Sequence, residues 1–225
     1  MTMIAARVLS FDLDDTLWPV APVIAAAENE LLGWLREHHP RVVAHHDVES
    51  MRALRASVAA RFPERCHDLT FLRLEALAEQ FRAAGCEESP VAQAFEVFYA
   101  ARNRVSCYAE VRPALARLAA SHPLFALSNG NADLGRCGLA AYFDGHLSAG
   151  TVGAAKPDGR IFAALAAHAG VAAGEILHVG DDPVTDVDGA RRAGMRTAWL
   201  NRDGREWPSH LAPPAWVISS LEEIR

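Results

Sequence analysis

Carboxylates stand at two points of the sequence, each directly after an apolar run that predicts a buried strand. The residues, in chain order, are Asp12, Asp14, Asp15, Asp181, Asp182 and Asp186. Buried carboxylates repel one another and are costly to desolvate, and a hard divalent cation among them offsets both penalties. Because Asp12 and Asp14 are two residues apart, an extended chain projects them to the same side. The pattern therefore predicts a magnesium site.

Two further polar groups have the chemistry to hold an anion. Ser128, Asn129 and Gly130 follow an apolar run and offer a hydroxyl and backbone N–H donors. Lys156 stands just before a predicted helix, where its charge opposes the positive end of the helix dipole. A phosphate between the lysine and the helix N-terminus would remove this conflict. We therefore expect a phosphate group to bind beside the metal ion.

Each of these groups, taken alone, also has a purely structural explanation. Asp182 followed by Pro183 fits a helix N-cap and the first helical position. A Ser-Asn-Gly sequence fits a hairpin turn, although a helix-like segment and not a paired strand follows this one. A single lysine is most often a solvated surface residue. The order of all four groups along the chain is what favours a functional site.

The polar groups fall where predicted strands end. Apolar strand patterns cover residues 5–11, 123–128, 145–150, 175–180, 196–200 and 215–219. Helical patterns cover residues 112–122, 132–140, 157–170 and 183–194. Strands alternating with helices of this length indicate an α/β fold with a doubly wound parallel sheet. Sites in such sheets form outside the carboxyl ends of the strands, which would bring the four polar groups together.

A block without strand patterns separates the first strand from the others. Its helical segments are residues 23–39, 47–62, 69–85 and 89–105. Gly85 is expected to end the third helix, and Ser89 and Pro90 to begin the fourth as N-cap and first helical residue. The sequence thus predicts an α/β core domain of residues 1–18 and 106–225, with an α-helical cap domain of residues 19–105 inserted into it.

The composition argues against several classes of protein. The chain has 225 residues, of which 51% are apolar, enough for one large domain or one with a smaller partner. Its net charge of −6, without a basic block, argues against a nucleic-acid partner. The four cysteines form no CxxC pair, so we expect free thiols in a reducing cytosol. No leader-like or membrane-spanning run is apparent, which predicts a cytoplasmic protein without a membrane partner. The oligomeric state stays open.

Taken together, the motifs resemble those of the haloacid dehalogenase-like (HAD) hydrolase superfamily. The four motifs of that family are matched in order by Asp12-Leu13-Asp14-Asp15-Thr16-Leu17, by Ser128, by Lys156 and by Gly180-Asp181 through Asp186. The resemblance covers essentially the whole chain, and the helical insertion is similar to the α-helical cap of the family. It implies a Rossmann-like core and a magnesium-dependent phosphatase that acts through an aspartyl-phosphate intermediate.

The resemblance also implies a role for each matched residue. Asp12 would be the nucleophile that attacks phosphorus, and Asp14 the general acid and base. The Mg²⁺ ion would be held by the Asp12 carboxylate, the Asp14 backbone carbonyl and Asp181. The residues expected to hold the phosphoryl group are Ser128, Asn129 and Lys156, and those expected to support the site are Thr16, Asp182 and Asp186. Asp186 would orient Lys156 or a metal-bound water, and Asp182 would either support the site from behind or only cap a helix.

Longer segments resemble one branch of this superfamily, the bacterial phosphatases acting on FMN, riboflavin-pathway phosphates and pyridoxal phosphate. These segments are FDLDDTLWPVAPVI, SNGNADL and EILHVGDDPVTDVDGARRAGMRTAWLNR. The resemblance implies a small phosphate monoester as substrate, with FMN, ribitylaminouracil phosphate and pyridoxal phosphate as candidates. His67 and Arg73 resemble a cap segment of that branch and are expected to face the substrate, whereas Asp68 could equally cap a helix.

Three alternative functions remain open. A 2-haloacid dehalogenase of the same fold also uses an aspartate nucleophile, but it has no use for a second acid two residues later. Asp14 therefore favours phosphate chemistry. A sugar phosphomutase would retain Asp14 and is excluded only weakly. A catalytically inactive binding module would carry a damaged motif, and every motif in this chain is intact.

Overall fold

The computed structural model describes residues 6–44 and 46–225, and the strands of this part of the chain form one parallel sheet. They are β1 (Val8–Phe11), β2 (Leu124–Ser128), β3 (Gly145–Ser148), β4 (Ile176–Gly180), β5 (Arg196–Leu200) and β6 (Trp216–Ile218). The order across the sheet is β3-β2-β1-β4-β5-β6, and neighbouring strands are parallel throughout. Each strand lies within a segment expected from its apolar run. The predicted α/β fold with a doubly wound parallel sheet is confirmed.

β1 lies in the middle of the sheet, where the direction of winding changes. It pairs with β2 on one side and with β4 on the other, so Phe11 lies opposite both Ala126 and Val179. All residues of β1 and β4 are buried. In open sheets, the crevice outside the carboxyl ends of the strands at such a point receives ligands. Asp12 and Asp181 directly follow β1 and β4, which places both at this crevice.

The helices that follow residue 105 bury apolar faces beside the strands. They are α5 (Val111–Ala119), α6 (Ala149–Val152), α7 (Gly159–Ala169) and α8 (Gly189–Arg192), and a π-helical segment, Pro183–Asp188, precedes the last. At the start of α7 the Asp158 side chain accepts the N–H of Arg160, and Gly170, with φ of 66°, ends the helix. Phe162 and Leu165 of α7 are fully buried in one cluster with side chains of β2 and β4.

The helix predicted over residues 132–140 is wrong. This segment forms a series of hydrogen-bonded turns, one of them closed by the Cys137 N–H and the Asp133 carbonyl. The Asp133 side chain also accepts the N–H of Arg136, a local bond that competes with helix formation. Glycines at positions 135 and 138 weaken a helix further, and Gly138 has a φ of 67°.

Four α-helices are described between residues 20 and 105. They are α1 (Val20–His38), α2 (Val48–Arg61), α3 (Leu69–Ala83) and α4 (Val91–Arg102). Asp47 and Asp68 cap α2 and α3, since each side chain accepts a backbone N–H three residues later. Gly85, with φ of 63°, lies just beyond α3 as expected. The helical character predicted for this block is thus present in every segment.

Several element boundaries differ from those expected, and two of them involve a capping residue. The strand predicted to reach residue 150 stops at Ser148, because the Ser148 side chain accepts the N–H of Thr151 and caps α6. The fourth helix begins at Val91, and Pro90 occupies the N-cap position without a side-chain cap bond. The prediction of Ser89 as N-cap is therefore wrong by one residue.

Contacts between Cα positions divide the chain into two compact units. One comprises the residues up to Pro19 together with Ser106–Arg225, and the other is Val20–Val105. Within the second unit an apolar core includes the buried side chains of Leu31, Phe81 and Phe98 from α1, α3 and α4. Among the described helices, none combines the length and the apolar character needed to cross a membrane.

A buried carboxylate on α1 is surrounded by arginines of the same unit. Glu28 is 4% exposed, and its carboxylate accepts hydrogen bonds from Arg52 and Arg55 of α2. Arg73 of α3 lies 3.7 Å from Glu28, with its guanidinium 3.4 Å from the ring centre of Phe98. Burial, together with the charge of Arg55, lowers the pKa of Arg73 to about 9. The nearly buried charge of Arg73 therefore depends on Glu28 for its neutralisation.

We expect Glu28→Gln to destabilise the helical unit by about 3 kcal/mol, because it leaves buried arginine charge without a counter-ion. Urea unfolding monitored by circular dichroism measures this change. Glu75→Gln is the matched control, since Glu75 pairs with Arg82 at the surface and should cost less than about 1 kcal/mol. Equal stability of the two variants would contradict the structural role given to Glu28.

Candidate active site

The first group of carboxylates lies in a tight turn after β1. The Asp12 N–H donates to the Val179 carbonyl at 2.9 Å and continues the pairing of β1 with β4. Asp15 has a φ of 59°, a left-handed conformation that Asp tolerates, and its N–H donates to the Trp18 carbonyl. The turn brings back the fully buried Trp18, whose indole N–H donates to Asp14 Oδ1 at 2.9 Å. The orientation of the Asp14 carboxyl is thereby fixed.

Lys156 connects the first carboxylate group to the last. Its Nζ donates to Asp12 Oδ1 at 2.5 Å, to Asp186 Oδ1 at 2.6 Å and to the Leu127 carbonyl at 2.9 Å. These three bonds use all three hydrogens of the ammonium group. The side chain of Lys156 is 2% exposed, so it is a buried cation held between two carboxylates and not a surface lysine.

The loop after β2 fixes the backbone of Lys156. The Asn129 side chain donates from Nδ2 to the Lys156 carbonyl and accepts the Lys156 N–H at Oδ1. Both ends of the side-chain amide are thus engaged with Lys156, and the expected phosphate-binding role of Asn129 stays a prediction. The hydroxyl of Ser128 is buried and accepts the N–H of Gly130 at 2.9 Å.

The strand end at β4 is shaped by a close approach between Gly180 and Asp186. A Cβ atom placed on Gly180 would overlap the Asp186 carboxylate. The absence of a side chain at residue 180 therefore lets Asp186 fold back over the strand end, where Oδ2 accepts the Asp182 N–H and Oδ1 meets Lys156.

Asp181 and Asp182 differ in what they do, although they are adjacent. The Asp182 side chain accepts the N–H groups of Val184 and Thr185 and caps the π-helical segment. The Asp182-Pro183 sequence predicts this N-cap role. The Asp181 carboxylate accepts the Thr16 hydroxyl at 3.4 Å and lies 3.3 Å from Arg205. Only Asp181 of this pair belongs to the cluster of carboxylates described below.

Burial and the neighbouring charges together set the pKa values of these groups. Burial, followed by the charge of Asp186, raises the pKa of Asp12 well above its ordinary value, although Lys156 opposes the shift. Burial also raises the pKa of Asp181 to about 6, with a further contribution from Asp186. Burial would raise the pKa of Asp186 too, but the charge of Lys156 and the bond from His178 hold it below its usual range. The carboxylates outweigh the effect of burial on Lys156 and raise its pKa.

The donor chemistry of the site fits a hard divalent cation. Asp12, Asp181 and Asp186 each offer a carboxylate oxygen, and these oxygens lie within 4.8 Å of one another. Such oxygens are the ligands that Mg²⁺ prefers, and a cation would offset the raised pKa values of Asp12 and Asp181. The sequence prediction of an acidic cluster at this edge of the sheet agrees with the geometry.

A cavity of about 200 Å³ is lined by residues of all four motifs. Its lining residues are Asp12, Asp14, Asp15, Ser128, Asn129, Gly130, Lys156, Asp181, Asp182, Thr185 and Asp186. Of the residues expected at the core site, Thr16 is not part of this lining. It is fully buried and contacts the site through its hydroxyl, which donates to Asp181.

The two residues expected to set specificity lie in the helical unit. Arg73 has an 11% exposed side chain engaged with Glu28 and the ring of Phe98, which argues against the expected substrate-facing role. The reason is that the charge of Glu28 and the face of Phe98 hold the guanidinium inside the unit. His67 is partly exposed and precedes the cap residue Asp68, so its role stays a prediction.

Sequence reasoning missed several residues that support the site. Arg205 donates to the Asp181 carbonyl at 2.7 Å, and Arg202 donates to the Thr16 carbonyl at 2.9 Å. Both follow the carboxyl end of β5, which is the signal that could have placed them at this edge of the sheet. His178 of β4 was also missed, because a histidine within an apolar strand gives no sequence sign of what it contacts. Burial lowers the pKa of His178 and favours the neutral imidazole.

Comparison with known proteins gives a consistent family. A family profile described as haloacid dehalogenase-like hydrolase matches residues 6–194. The 5-amino-6-(5-phospho-D-ribitylamino)uracil phosphatase YigB of Escherichia coli (strain K12) is 37% identical over 91% of this chain and 89% of its own length. The phosphoserine phosphatase of Thermus thermophilus is 37% identical over 65% of this chain and 61% of its own length.

A solved structure named for a different reaction is also similar. The crystal structure of 2-haloacid dehalogenase from Pseudomonas syringae pv. Tomato DC3000 has a TM-score of 0.90 and 37% sequence identity. The match covers 96% of this chain and 95% of that protein. The similar proteins are therefore named for different reactions.

We expect Gly180→Ala to lower kcat by about tenfold or more, because the new methyl group displaces the Asp186 carboxylate from Lys156. Steady-state kinetics on the purified variant measure the change. Gly159→Ala is the matched control, since a Cβ there meets no atom within 4 Å. Equal kcat values for both variants would show that the position of Asp186 does not matter.

Proposed function

The chain belongs to the haloacid dehalogenase-like hydrolases, and we propose that it is a magnesium-dependent phosphatase of small phosphate monoesters. The observation that carries this proposal is the pair of carboxylates after β1, with Asp12 bound to Lys156 and Asp14 held by Trp18. One carboxylate suffices for nucleophilic attack, and the second is needed only where a leaving group must be protonated. An alkoxide leaving phosphorus needs that proton, whereas a halide does not.

The proposed reaction has two displacements at phosphorus. The Asp12 carboxylate attacks phosphorus and forms a P–O bond as the bond to the leaving alkoxide breaks, and Asp14 gives that alkoxide its proton. A water molecule then attacks the phosphorus of the aspartyl-phosphate, and Asp14 takes the proton of the water. The bond to Asp12 breaks, which releases inorganic phosphate and restores the carboxylate. Two easier steps replace one difficult step.

Lys156 and Ser128 are proposed to hold the transferring phosphoryl oxygens. Both line the cavity with Asp12, and the fixed positive charge of Lys156 attracts and neutralises the negative charge of the phosphoryl group. Asp186 keeps Lys156 charged and in place through a bond of 2.6 Å. Asn129 holds the Lys156 backbone and completes this support.

Asp12, Asp181 and the backbone carbonyl of Asp14 are proposed to hold Mg²⁺. The cation, when bound, neutralises the crowded carboxylates and the charge on the phosphoryl oxygens. The oxygen of Asp186 lies in the same cluster, but this carboxylate already binds Lys156. We therefore assign Asp186 to orienting the lysine. Arg205 and Thr16 hold the Asp181 carboxylate in this assignment, Arg205 at Oδ2 and Thr16 at Oδ1.

The substrate class is proposed from the phosphatase relatives. The E. coli relative is named for a ribitylaminouracil phosphate and aligns with 91% of this chain. We propose that this chain acts on a phosphate monoester of similar kind, borne on a ribityl chain or a planar ring, as in FMN and pyridoxal phosphate. Residues 19–105 are proposed to be the cap domain that selects the leaving group, since Val20–Val105 form a separate helical unit.

Dehalogenation is the second candidate, because a structure of 37% identity is named as a 2-haloacid dehalogenase. In that reaction the aspartate would attack carbon and expel halide, and Asp14 would have no proton to deliver. A phosphomutase would use the same two carboxylates but pass the phosphoryl group back to a sugar instead of to water. A phosphatase therefore releases phosphate, a dehalogenase releases halide, and a phosphomutase releases neither.

A substrate panel tests the proposed function. With Mg²⁺, we expect inorganic phosphate to be released from ribitylaminouracil phosphate, FMN or pyridoxal phosphate faster than from sugar phosphates, and no halide from 2-chloropropionate. EDTA should abolish the activity, and Ca²⁺ should not restore it, because its larger and looser ligand shell misplaces the nucleophile. Halide release without phosphate release would identify a dehalogenase, and full activity in EDTA would refute the role of the metal.

Two substitutions test the roles of the carboxylates. Asp12→Asn should abolish turnover because an amide is a poor nucleophile, and Asp14→Asn should lower kcat by about 10²- to 10⁴-fold because the general acid is lost. Asp158→Asn is the control, since Asp158 caps α7 outside the cavity and should retain wild-type kcat. Wild-type turnover by Asp14→Asn would remove the main argument for a phosphatase over a dehalogenase.

A further inference from the structure

A chain of buried polar side chains runs from the interior of the sheet to the lysine of the site. Ser10 of β1 and His178 of β4 lie opposite each other in the strand register and are 0% and 1% exposed. The Ser10 hydroxyl is 3.0 Å from His178 Nδ1, and His178 Nε2 is 3.3 Å from Asp186 Oδ1. That same carboxylate oxygen accepts the ammonium of Lys156.

The partners of the imidazole assign one tautomer to it. A carboxylate such as Asp186 only accepts hydrogen bonds, so His178 Nε2 must carry the hydrogen that it donates. In the neutral ring Nδ1 is then an acceptor, and the hydroxyl of Ser10 donates to it. The direction of every bond from Ser10 to Lys156 is therefore determined by the groups that take part.

Three donors from different parts of the fold hold the Asp186 carboxylate. The N–H of Asp182 binds Oδ2 at 3.0 Å, while Lys156 and His178 bind Oδ1. Lys156 is the group to be positioned, and Asp182 lies in the loop after β4. His178 is the donor that comes from within a strand, and the ring of Phe162 packs against its imidazole with centroids 5.8 Å apart. It is thus the rigid member of the three.

We propose that His178, held by Ser10, is a positioning residue that fixes Asp186 and through it the ammonium of Lys156 for phosphoryl transfer. The inference rests on the proposed phosphatase function. An apolar side chain would fill this place in the strand at lower desolvation cost, and the histidine is useful because its Nε2–H reaches the carboxylate. His178 touches neither the nucleophile nor the cavity, so it acts only through its neighbours.

Four variants separate positioning from mere packing. His178→Leu removes the donor, and His178→Gln retains an N–H donor at about the place of Nε2. Ser10→Ala removes the hydroxyl that binds His178 Nδ1 and holds the imidazole in place. Thr197→Val is the matched control, because Thr197 lies opposite His178 on β5 and is also buried, but lines no part of the cavity. Steady-state kinetics with p-nitrophenyl phosphate and Mg²⁺ give kcat and KM, and thermal unfolding reports on the fold.

His178→Leu should lower kcat by about 10- to 100-fold with KM changed less than about twofold, as expected for loss of a bond to a charged group that is felt at the transition state. His178→Gln should stay within about threefold of wild type, and Thr197→Val should be unchanged. The proposal is overturned if the Gln and Leu variants lose kcat equally, or if the Leu variant retains wild-type kcat. If His178→Leu does not fold, Ser10→Ala decides: a kcat decrease of several-fold supports the proposal, and unchanged kcat overturns it.

A second readout does not depend on turnover. Long-range ¹H–¹⁵N spectra of the protein labelled at histidine nitrogen report the tautomer of each imidazole, and His178→Gln identifies the signal. We expect the neutral Nε2–H form of His178 in the wild type and also in Ser10→Ala, because the Asp186 carboxylate still accepts the hydrogen of Nε2. The Nδ1–H form in the wild type would overturn the proposal. Absence of phosphate release from every substrate would instead refute the proposed function, while the spectra would still test the bond to Asp186.

Discussion

A single buried ammonium group, the Nζ of Lys156, is the interaction on which the rest of the site depends. It lies between Asp12 and Asp186 with 2% of its side chain exposed, and it joins the ends of β1 and β4. Two carboxylates brought so close without it would repel each other, and the lysine without them would be an uncompensated buried charge. The ion triad is stable only as a whole, so the surrounding fold must place three side chains from distant parts of the chain at once.

The fold achieves this placement with rigid elements and backbone contacts. The turn after β1 uses the buried Trp18 to orient Asp14, while the Asn129 amide holds the backbone of Lys156. At the end of β4 the missing side chain of Gly180 makes room for Asp186. These supports are neutral donors and close packing, which add no further charge to a site that already holds many charged groups.

The sequence was sufficient to predict the features that follow from the spacing of apolar and acidic residues. Apolar runs ending in carboxylates located the strands, and the parallel sheet then required Asp12 and Asp181 to meet at one edge. The residues whose roles depend on tertiary contact could not be predicted. Arg73 is a charged residue of the type that binds substrates, and only the packing of the helices reveals that it is buried against Glu28. The segment around Asp133 likewise has helical periodicity, and a local side-chain bond decides against the helix.

Asp12 is proposed to be the nucleophile that attacks phosphorus, while Lys156 neutralises the charge of the transferring phosphoryl group. Rapid acid quenching during turnover of a substrate phosphate, followed by peptide mass spectrometry, tests this claim most directly. The account predicts that the mass of one phosphoryl group is added to the peptide containing Asp12, at that side chain. A phosphoryl group found on any other residue, such as Ser128, would contradict it.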